Sequence, residues 1–421
     1  MGGDGLRRNI SARVDVVPIS MAQGHPVPPF PLKGKEHVIA MNLSWDIFCT
    51  VVDNYGDIGV CWRLARQLAS EHGFAVRLWV DDLAPFARLC PELDVVLDLQ
   101  SLRGVTVRRW DKPFPDVTPA DVVIEAFGCQ LPANYKMAMS LRSPQPAWIN
   151  LEYLSAEPWV SGTHSLPSPQ PPLIKFFFFP GFSVHTGGLL RERGLFEKRD
   201  EFQRDAVACG EFWVSMGVPL PTSDEIRVSL FCYDHANIEN LLDAWSISTQ
   251  PITCIVSQGV ISKALAMFLG HEPAVGATYV RGGLRLCVIP FLEQDRYDRL
   301  LWACDVNFVR GEDSFVRAQW AGRPFVWHIY PQQEDAHLIK LNAFLNLYCA
   351  DLPTQQARQL RSFWLAWNGQ GAQAAEPRGF AALQGLTGHA VNWAQQLSEQ
   401  TDLAANLAAF CNNLVKSRVS T

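Results

Sequence analysis

VVDNYGDIGVCWRLARQL, residues 51–68, joins the end of an apolar run to a short polar loop and then to an amphipathic segment. The residues just upstream, WDIFCTVV at 45–52, are apolar and favour β-structure. Val60, Leu64 and Leu68 repeat at helical spacing. The stretch therefore predicts a strand, a tight loop and a helix. In open α/β sheets, ligands bind at loops of this kind.

This loop carries two carboxylates, Asp53 and Asp57, beside Gly56 and Gly59, which let the backbone turn sharply and approach a ligand. Two acids at the end of a strand suggest acid–base chemistry. An aspartate just before a helix is often only its N-cap, and Asp57 could cap a helix that begins near Ile58. Asp53 lies too far upstream to cap the same turn. Both interpretations of Asp57 stay open at this point.

The composition excludes several classes of protein. With 421 residues, 48% of them hydrophobic and 19% charged, the chain is globular and long enough for two domains. Its 36 basic and 42 acidic residues give a net charge of -6, which argues against nucleic acid as the main partner. No apolar run is long enough to span a bilayer, so we expect no membrane partner.

The cysteines and histidines point to a reducing compartment and to no dedicated metal. The 11 cysteines are scattered without a C-x-x-C pair, and the 10 histidines include no H-x-x-x-H arrangement. We therefore expect reduced thiols, a cytoplasmic location and no metal site.

Two series of short apolar runs alternate with helical patterns, which predicts βαβ units and two largely parallel sheets. The strands predicted in the first series are 45–52, 75–80, 95–99, 105–107, 122–126 and 147–153. Those predicted in the second series are 226–233, 253–257, 284–289, 306–309 and 324–328. We divide the chain into a disordered leader at 1–40, Rossmann-like domains at 41–216 and 225–392, and a C-terminal helix at 393–421 that returns to the first domain.

A proline-rich segment at 154–188 interrupts the first series. We expect a long irregular loop that faces the acceptor, because a loop of this length is often functional. Its four consecutive phenylalanines, Phe176 to Phe179, are expected in a buried strand rather than on a sticky surface. The charged residues at 190–216 predict a helical segment before the linker GVPLPTSD.

A second candidate site follows the predicted strand at 306–309, where the chain reads RGEDSF. Gly311 frees the turn, and Asp313 or Ser314 can cap the next helix, whose first N–H groups form an anion site. Arg310 adds a charged donor for phosphate. Glu312 would repel phosphate unless it pairs with Arg310 or hydrogen-bonds the sugar or the pyrophosphate in its protonated form.

Aromatic residues near this turn suit a flat pyrimidine. Phe291, Gln294 and Tyr297 recur at a spacing of three around the start of one predicted helix, and Phe231 and Tyr233 follow the first strand of the second series. The rings can stack on a base, and the Gln294 amide can read its edge. The alternative is that Phe291 is a core residue and Gln294 a helix cap.

Four stretches together resemble one family of enzymes. They are VDNYGDIGVCWRLARQL, NLEYLSAEPWV, LFCYDHANIENLL and IPFLEQDRYDRLLWACDVNFVRGEDSFVRAQWAGRPFVWHIYPQQEDAHLIKL. The last contains a glycosyltransferase-like donor signature, a turn with Glu and Ser, then A-G-x-P and Pro-Gln-x-Glu-x-x-His. The chain is similar, from about residue 44 to its end, to the bacterial elongation factor P arginine rhamnosyltransferases.

The resemblance implies an α/β fold of the GT-B type, with two Rossmann-like domains facing across a cleft. The first domain would bind the acceptor and the second the nucleotide sugar. It also implies inverting transfer of L-rhamnose from dTDP-β-L-rhamnose to an arginine side chain of elongation factor P, without cofactor or metal.

The resemblance assigns roles to particular residues. Asp57 is the preferred base, Asp53 helps to hold the guanidinium, and Glu312 is the third catalytic residue. Four residues would hold the thymine nucleotide: Phe231, Phe291, Gln294 and Tyr297. Five would hold the diphosphate and sugar: Tyr233, Arg310, Glu312, Asp313 and Ser314. The remaining substrate-binding candidates are Asn54, Tyr55, Gly56 and Gly311.

Two further classes of function remain as alternatives. One is a GT-B transferase or epimerase that uses another nucleotide sugar. The other is a non-catalytic protein that binds a nucleotide sugar, against which the paired acids argue because binding alone does not need them.

Overall fold

The computed structural model describes residues 43–111, 113–234, 236–370 and 377–419. The leader predicted at 1–40 lies outside these residues. The strands of the first sheet are β1 (Ser44–Cys49), β2 (Ala75–Val80), β3 (Leu99–Leu102), β4 (Val105–Arg109), β5 (Val122–Ala126), β6 (Ala147–Leu151), β7 (Pro167–Gln170) and β8 (Leu173–Phe178). Their order is β3-β4-β2-β1-β5-β6-β8-β7.

The second sheet contains β9 (Ile226–Leu230), β10 (Ile252–Ser257), β11 (Thr278–Arg281), β12 (Leu284–Ile289), β13 (Val306–Arg310) and β14 (Phe325–His328). Their order is β11-β12-β10-β9-β13-β14. The strands β3, β7 and β11 pair antiparallel with their neighbours, and the other pairs are parallel. The predicted α/β architecture with two Rossmann-like sheets is confirmed.

The helices between the strands and after them cover the two sheets. They are α1 (Gly56–His72), α2 (Leu83–Leu89), α3 (Ala133–Leu141), α4 (Val160–Thr163), α5 (Leu195–Arg204), α6 (Ala206–Ser215), α7 (Ile238–Ser246), α8 (Ser262–Leu269), α9 (Gln294–Ala303), α10 (Asp313–Trp320), α11 (Ala336–Tyr348), α12 (Thr354–Trp367), α13 (Pro377–Gln384), α14 (Thr387–Ser398) and α15 (Leu403–Val419). Within the described segments, no helix is both long and apolar enough to cross a membrane.

One interior strand of each sheet positions a candidate site. In the first sheet, β1 lies between β2 and β5 and pairs parallel with both. In the second, β13 lies between β9 and β14 and pairs parallel with both. Most residues on both faces of β1 and β13 are buried, as expected for interior parallel strands. The polar loops at their carboxyl ends are therefore held on rigid supports.

Three local predictions need correction. The apolar residues Val95, Val96 and Leu97 are 43%, 79% and 48% exposed and form no strand. The Asp94 carboxylate accepts the Val96 N–H at 2.8 Å, which bends the chain into a turn, and the edge strand β3 begins only at Leu99.

The charged segment at 190–216 contains two helices because Asp205 interrupts it. The Asp205 carboxylate accepts the N–H groups of Val207 and Ala208 and caps α6. The proline-rich segment contains α4 and β7, although it was expected to be irregular. The strand predicted at the four phenylalanines is present as β8, which ends at Phe178. Phe178 and Phe179 are buried as expected, whereas Phe176 and Phe177 are only partly buried.

Some helices pack against a different sheet from the one that their position in the chain suggests. Apolar side chains of α5 and α6, including Phe202, Phe212 and Trp213, pack in the cluster of the second sheet. Leu403, Leu407 and other residues of α15 pack in the cluster of the first sheet. The domain boundaries proposed from the sequence stay a prediction. The packing connects 195–215 with the second sheet and α15 with the first.

Candidate active site between the two sheets

The loop after β1 holds Asp57 by its own backbone. Asp57 Oδ2 accepts the N–H groups of Val52 at 2.9 Å and Asp53 at 2.8 Å, and its Oδ1 accepts the hydroxyl of Tyr153 at 3.2 Å. The helix α1 begins at Gly56, and its N-cap residue is Tyr55. Asp57 is therefore not an N-cap. It lies in the first turn and folds back onto the loop that precedes the helix.

Burial changes the proton affinity of both loop carboxylates. Asp57 is only 2% exposed, and this burial raises its pKa, whereas the two backbone N–H groups and the Tyr153 hydroxyl oppose the rise. Burial raises the pKa of Asp53 to about 6, against the opposing effects of the Tyr233 hydroxyl and the Arg310 guanidinium. Carboxylates with raised pKa values in a cleft are suited to accept protons near neutral pH.

Asp53 reaches from the first sheet to the second. Its Oδ2 accepts the hydroxyl of Tyr233 at 2.8 Å. Gly311 has φ of +62°, and a Cβ atom there would lie 2.8 Å from the same oxygen. A Cβ atom on Gly56 would lie 2.6 Å from it. Glycine lets the two turns approach each other around one carboxylate, since a Cβ atom at either position would displace the Asp53 side chain.

Arg310 lies at the end of β13 among aromatic rings. Its guanidinium carbon is 4.6 Å from the ring centroids of Phe231 and Tyr233 and 5.7 Å from that of Tyr55. One guanidinium nitrogen donates to the carbonyl of Cys232 at 3.3 Å. Cation–π contacts of this kind hold a planar guanidinium in place at the wall of the pocket described below.

The turn after Arg310 differs from its predicted form. The N-cap residue of α10 is Glu312, which makes no side-chain capping bond, and Asp313 lies inside the helix. Ser314 Oγ accepts the Arg310 N–H at 3.1 Å and donates to the Arg310 carbonyl. The prediction that Asp313 or Ser314 caps this helix is therefore wrong. Ser314 closes the turn, and Trp327 Nε1 fixes it from below by donating to the Gly311 carbonyl at 2.7 Å.

Glu312 points toward the first sheet. Its Oε2 accepts the N–H of Leu154 at 3.1 Å. Burial and the charges of Asp57 and Asp53 raise its pKa to about 8, although Lys340 opposes the rise. The ion pairs among the described residues do not join Glu312 to Arg310. Of the two explanations predicted for an acid in this turn, the protonated form fits the site, because at neutral pH the group can donate a hydrogen bond.

A pocket lies between the two turns, lined by Asp53, Tyr55, Gly56, Leu89, Phe231, Ser257, Phe291, Leu292, Gln294, Tyr297, Arg310, Asp313 and Ser314. Ten of these residues are predicted site residues. Phe231 and Tyr297 pack at 5.5 Å between ring centroids, and Tyr55 and Phe291 at 4.8 Å. The structure thus brings the predicted base pocket, the predicted anion turn and Asp53 to one place.

The remaining predicted residues lie behind or beside this pocket. Tyr233 and Gly311 contact Asp53, as described above, and Glu312 contacts Leu154. Asn54, at the tip of the first loop, is exposed and has φ of 32°. Asp57 is one residue from the pocket wall at Gly56. The pocket therefore has Asp53 at its edge and Asp57 beneath the loop.

Gln294 has partners that the sequence did not predict. Its amide nitrogen donates to the Gly59 carbonyl at 3.0 Å and to Asp313 Oδ2 at 3.1 Å, and its oxygen accepts from Arg66 at 3.2 Å. Gln294 is the first residue of α9 and makes no cap, so the alternative of a helix cap is wrong. The side chain joins the first lobe, which is the first sheet with the helices packed on it, to the second lobe, which is the second sheet with its helices. Its predicted contact with a base stays a prediction.

A buried ion-pair network next to the pocket also escaped the sequence analysis. Arg63 of α1 is 1% exposed and pairs with Asp313 at 2.7 Å, Asp298 at 2.9 Å and Glu192 at 3.5 Å. Arg317 pairs with Glu192 at 2.6 Å and Asp298 at 2.7 Å. From the sequence alone, arginines at 63 and 317 would be expected on the surface of a helix. Only the partners from distant segments mark them as buried.

Arg88 was also missed. Its guanidinium carbon lies 4.3 Å from the ring centroid of Phe291, and it donates to the Gln258 carbonyl at 3.2 Å. Within the described parts of the chain, no group of three or more His, Cys, Asp or Glu side chains could hold a metal ion. That the reaction needs no metal stays a prediction.

A turn with paired carboxylates on one Rossmann-like sheet faces a phosphate-type turn with an arginine on the other. GT-B glycosyltransferases bring an acceptor and a sugar donor together across such a cleft, and this chain is a glycosyltransferase of the GT-B class. More narrowly, it belongs to the family described as Elongation-Factor P (EF-P) rhamnosyltransferase EarP, whose model matches residues 45–412.

Individual relatives agree with this assignment. A protein-arginine rhamnosyltransferase of Pseudomonas aeruginosa is 52% identical over 370 residues, which cover 87% of this chain and 98% of that relative. One of Neisseria meningitidis is 37% identical over 386 residues, covering 88% and 98%. A solved structure on EarP-mediated arginine glycosylation of translation elongation factor EF-P matches with a TM-score of 0.63 and 38% identity, over 88% of this chain and 99% of that chain.

Proposed function

We propose that this protein transfers L-rhamnose from dTDP-β-L-rhamnose to an arginine side chain of elongation factor P, with inversion at the sugar carbon and without a metal ion. Family membership supports the reaction and the acceptor. The observation that carries the proposal is the contact across the cleft, where Asp53 Oδ2 lies 2.8 Å from the Tyr233 hydroxyl. This contact brings acids suited to a cation next to donors suited to a diphosphate.

The acceptor half needs carboxylates because a guanidinium is a poor nucleophile. It stays protonated near neutral pH and has no acceptor lone pair. Asp53 and Asp57 can hold such a fork-shaped cation through charge-assisted hydrogen bonds. As the bond from nitrogen to C1 forms, the nitrogen gives a proton to Asp57, and the bond from C1 to the diphosphate oxygen breaks. Attack from the face opposite the leaving group inverts C1.

The donor half needs groups that stabilise the negative charge on the leaving diphosphate. Arg310 supplies a fixed positive charge, and the start of α10 supplies its N–H groups. Tyr233 can donate its hydroxyl to the diphosphate only when it releases Asp53 Oδ2, to which it donates in this structure. Glu312, whose pKa is raised to about 8, can donate a hydrogen bond to a sugar or phosphate oxygen at neutral pH. These groups supply the charge stabilisation that a metal ion gives in other transferases.

The thymine ring would lie in the aromatic pocket. Phe231, Tyr297 and Phe291 offer ring faces and edges. Gln294 is beside them, but its amide is bonded to Gly59 and Asp313. Reading the base would require the amide to exchange one of these partners. Exchange of the Gly59 carbonyl would loosen the contact between α1 and α9, whereas exchange of Asp313 would keep it.

The test is the intact mass of purified elongation factor P after incubation with this protein and dTDP-L-rhamnose, with and without EDTA. We expect a gain of one deoxyhexose that survives EDTA. UDP- and GDP-activated sugars serve as controls for the donor, and elongation factor P with its acceptor arginine changed to lysine serves as the control for the site. Gain from another nucleotide sugar instead, or donor consumption without a gain in acceptor mass, contradicts the proposal.

A further inference from the structure

Tyr153 lies at the centre of contacts that join Asp57 to both lobes, and neither its hydroxyl nor its ring was assigned a role from the sequence. It follows β6, two residues beyond Leu151. Its hydroxyl donates to Asp57 Oδ1 at 3.2 Å, and burial together with the Asp57 charge raises its pKa. The phenol therefore remains protonated and acts as a donor toward the carboxylate.

The two oxygens of Asp57 are not equivalent. Oδ2 already accepts two backbone N–H groups of the loop, from Val52 and Asp53. An ionised carboxylate oxygen accepts about two hydrogen bonds, so Oδ2 is filled. Oδ1 accepts from Tyr153 and keeps one position for a proton or a guanidinium N–H. The direction of that position depends on where the Tyr153 hydroxyl lies.

The ring of Tyr153 is held on both faces. The Phe127 ring stacks on it at 4.6 Å between centroids with an interplanar angle of 16°. Phe127 has φ of 57°, a strained backbone for a bulky residue, which is typical of functional positions. Lys340 Nζ of α11 lies 5.5 Å from the Tyr153 centroid. The next residue, Leu154, donates its N–H to Glu312 of the second lobe.

We propose that Tyr153 is a positioning residue that aims Asp57 Oδ1 at the acceptor guanidinium, and that Lys340 holds it there from the second lobe. The inference rests on the proposed function, because it concerns the base of that reaction. Tyr153 touches Asp57 rather than the reacting atoms. The base is then correctly aimed only when the second lobe is against the first.

Several titratable groups face Asp57 and must be considered in any pH measurement. The first lobe contributes Asp53, Asp81, Cys49, Cys61 and Tyr153, and the second lobe contributes Glu312, with Lys340 behind Tyr153. Among them the Tyr153 hydroxyl lowers the pKa of Asp57. Loss of that hydroxyl therefore raises the pKa of Asp57, since the ionised carboxylate loses a donor.

The experiment compares Tyr153→Phe with Tyr135→Phe. Tyr135 also donates to a buried aspartate, Asp46, but lies in the separate cluster around Phe48 and Trp79. We expect Tyr153→Phe to lower kcat about 10- to 100-fold, the factor typical of a hydrogen bond to a charged group. We also expect the acid limb of the kcat profile to move to higher pH, while the KM for dTDP-rhamnose is unchanged. Tyr135→Phe should leave the limb at its wild-type position.

A merely structural role for Tyr153 would lower the melting temperature without moving the acid limb, and that result overturns the inference. The wild-type protein is assayed in parallel by acceptor mass. If the wild type transfers no rhamnose, the proposed function fails; if it transfers rhamnose and Tyr153→Phe keeps the wild-type profile, only the positioning role fails.

Lys340→Met tests the hold from the second lobe and remains informative if Tyr153→Phe does not fold. We expect it to move the acid limb in the same direction by a smaller amount, and Lys340→Arg to restore the limb. If Lys340 acts through Tyr153, Lys340→Met adds no further shift in the Tyr153→Phe background, because the two effects share one contact. Additive shifts, or no shift from Lys340→Met alone, would show that Lys340 does not keep Tyr153 in place.

Discussion

The two strand–turn–helix units of the site are alike in sequence and unlike in their contacts. The turn between β1 and α1 and the turn between β13 and α10 both combine glycine with acidic residues at the start of a helix. In the first, Asp57 is bonded to the N–H groups of its own loop. In the second, Glu312 and Asp313 are bonded to Leu154 and Arg63 of the other lobe.

Asp57 Oδ2 is held by its own loop, whereas Glu312 and Asp313 are held by residues of the other lobe. Asp57 keeps its contacts with Val52 and Asp53 wherever the second lobe lies, because they belong to one loop. Glu312 and Asp313 have these contacts only when the lobes are together. Burial of Glu312, and with it the rise of its pKa to about 8, therefore depends on lobe position. We expect changes at Asp57 to affect chemistry, and changes at Glu312 and Asp313 to affect both chemistry and lobe assembly.

Asp57→Asn should give the largest effect on the chemical step. The amide cannot accept the proton, and removal of a general base typically costs about 10²- to 10⁴-fold in rate. Single-turnover transfer to elongation factor P measures this loss, and thermal shift with dTDP checks that donor binding is retained. Asp81→Asn is the matched control, since Asp81 also accepts a loop N–H, from Val51 at 2.9 Å. Similar losses in both variants would mean that the loop conformation, rather than the base, was removed.

Arg63→Met should give the largest effect on stability. It leaves Asp313 without its buried cation, and breaking a buried ion pair from one side costs about 3–5 kcal/mol in the free energy of unfolding. Urea denaturation followed by tryptophan fluorescence measures the change. Arg66→Met is the control on the same helix, because its partner Asp295 is about half exposed and the pair should contribute less than about 1 kcal/mol. Equal losses would contradict a buried network that joins the lobes.

Arg310→Ala should weaken catalysis on the donor side. Removing one preorganised donor to a developing negative charge costs about 10²- to 10³-fold in kcat. Arg310→Lys keeps the charge but loses the planar contacts with Phe231 and Tyr233, so an intermediate loss is expected. Measurement of kcat and of the KM for dTDP-rhamnose separates the two variants. A wild-type kcat in Arg310→Ala would remove the arginine from the proposed mechanism.

The pH dependence should show the smallest effect, about tenfold for each pH unit beyond a limb. Both loop carboxylates must be ionised, so activity should fall on the acid side as they take up protons: burial raises the pKa of Asp53 to about 6, and burial also raises the pKa of Asp57, the proposed base. Glu312 must be protonated, so activity should fall above about pH 8, where it loses its proton. Glu312→Gln cannot ionise and should lack the alkaline limb. Glu157→Gln is the control outside the turn, and an alkaline limb that persists in Glu312→Gln would assign it to another group.

The sequence predicted most of the strands and helices because the spacing of apolar residues and the positions of glycines are local signals. The strands at 75–80 and 284–289 match their predicted bounds. Predictions failed where a single side chain overrode the pattern. Asp94 turned an apolar run into a bend, and Asp205 divided one helical pattern into two helices. Edge strands such as β11 were missed because they are mostly exposed and alternate only weakly between apolar and polar residues.

Residue types and spacing alone determined two strand–turn–helix units, their glycines and the presence of acids and an arginine beside them. Tertiary structure decided which atoms meet. Asp53 is hydrogen-bonded to Tyr233, which is 180 positions away in the sequence. Glu312 is bonded to Leu154, 158 positions away, and Arg63 to Asp313, 250 positions away. No local pattern encodes such pairs, because hydrogen bonding and burial depend on how the two sheets pack. The proton affinities that the reaction requires are set by that packing.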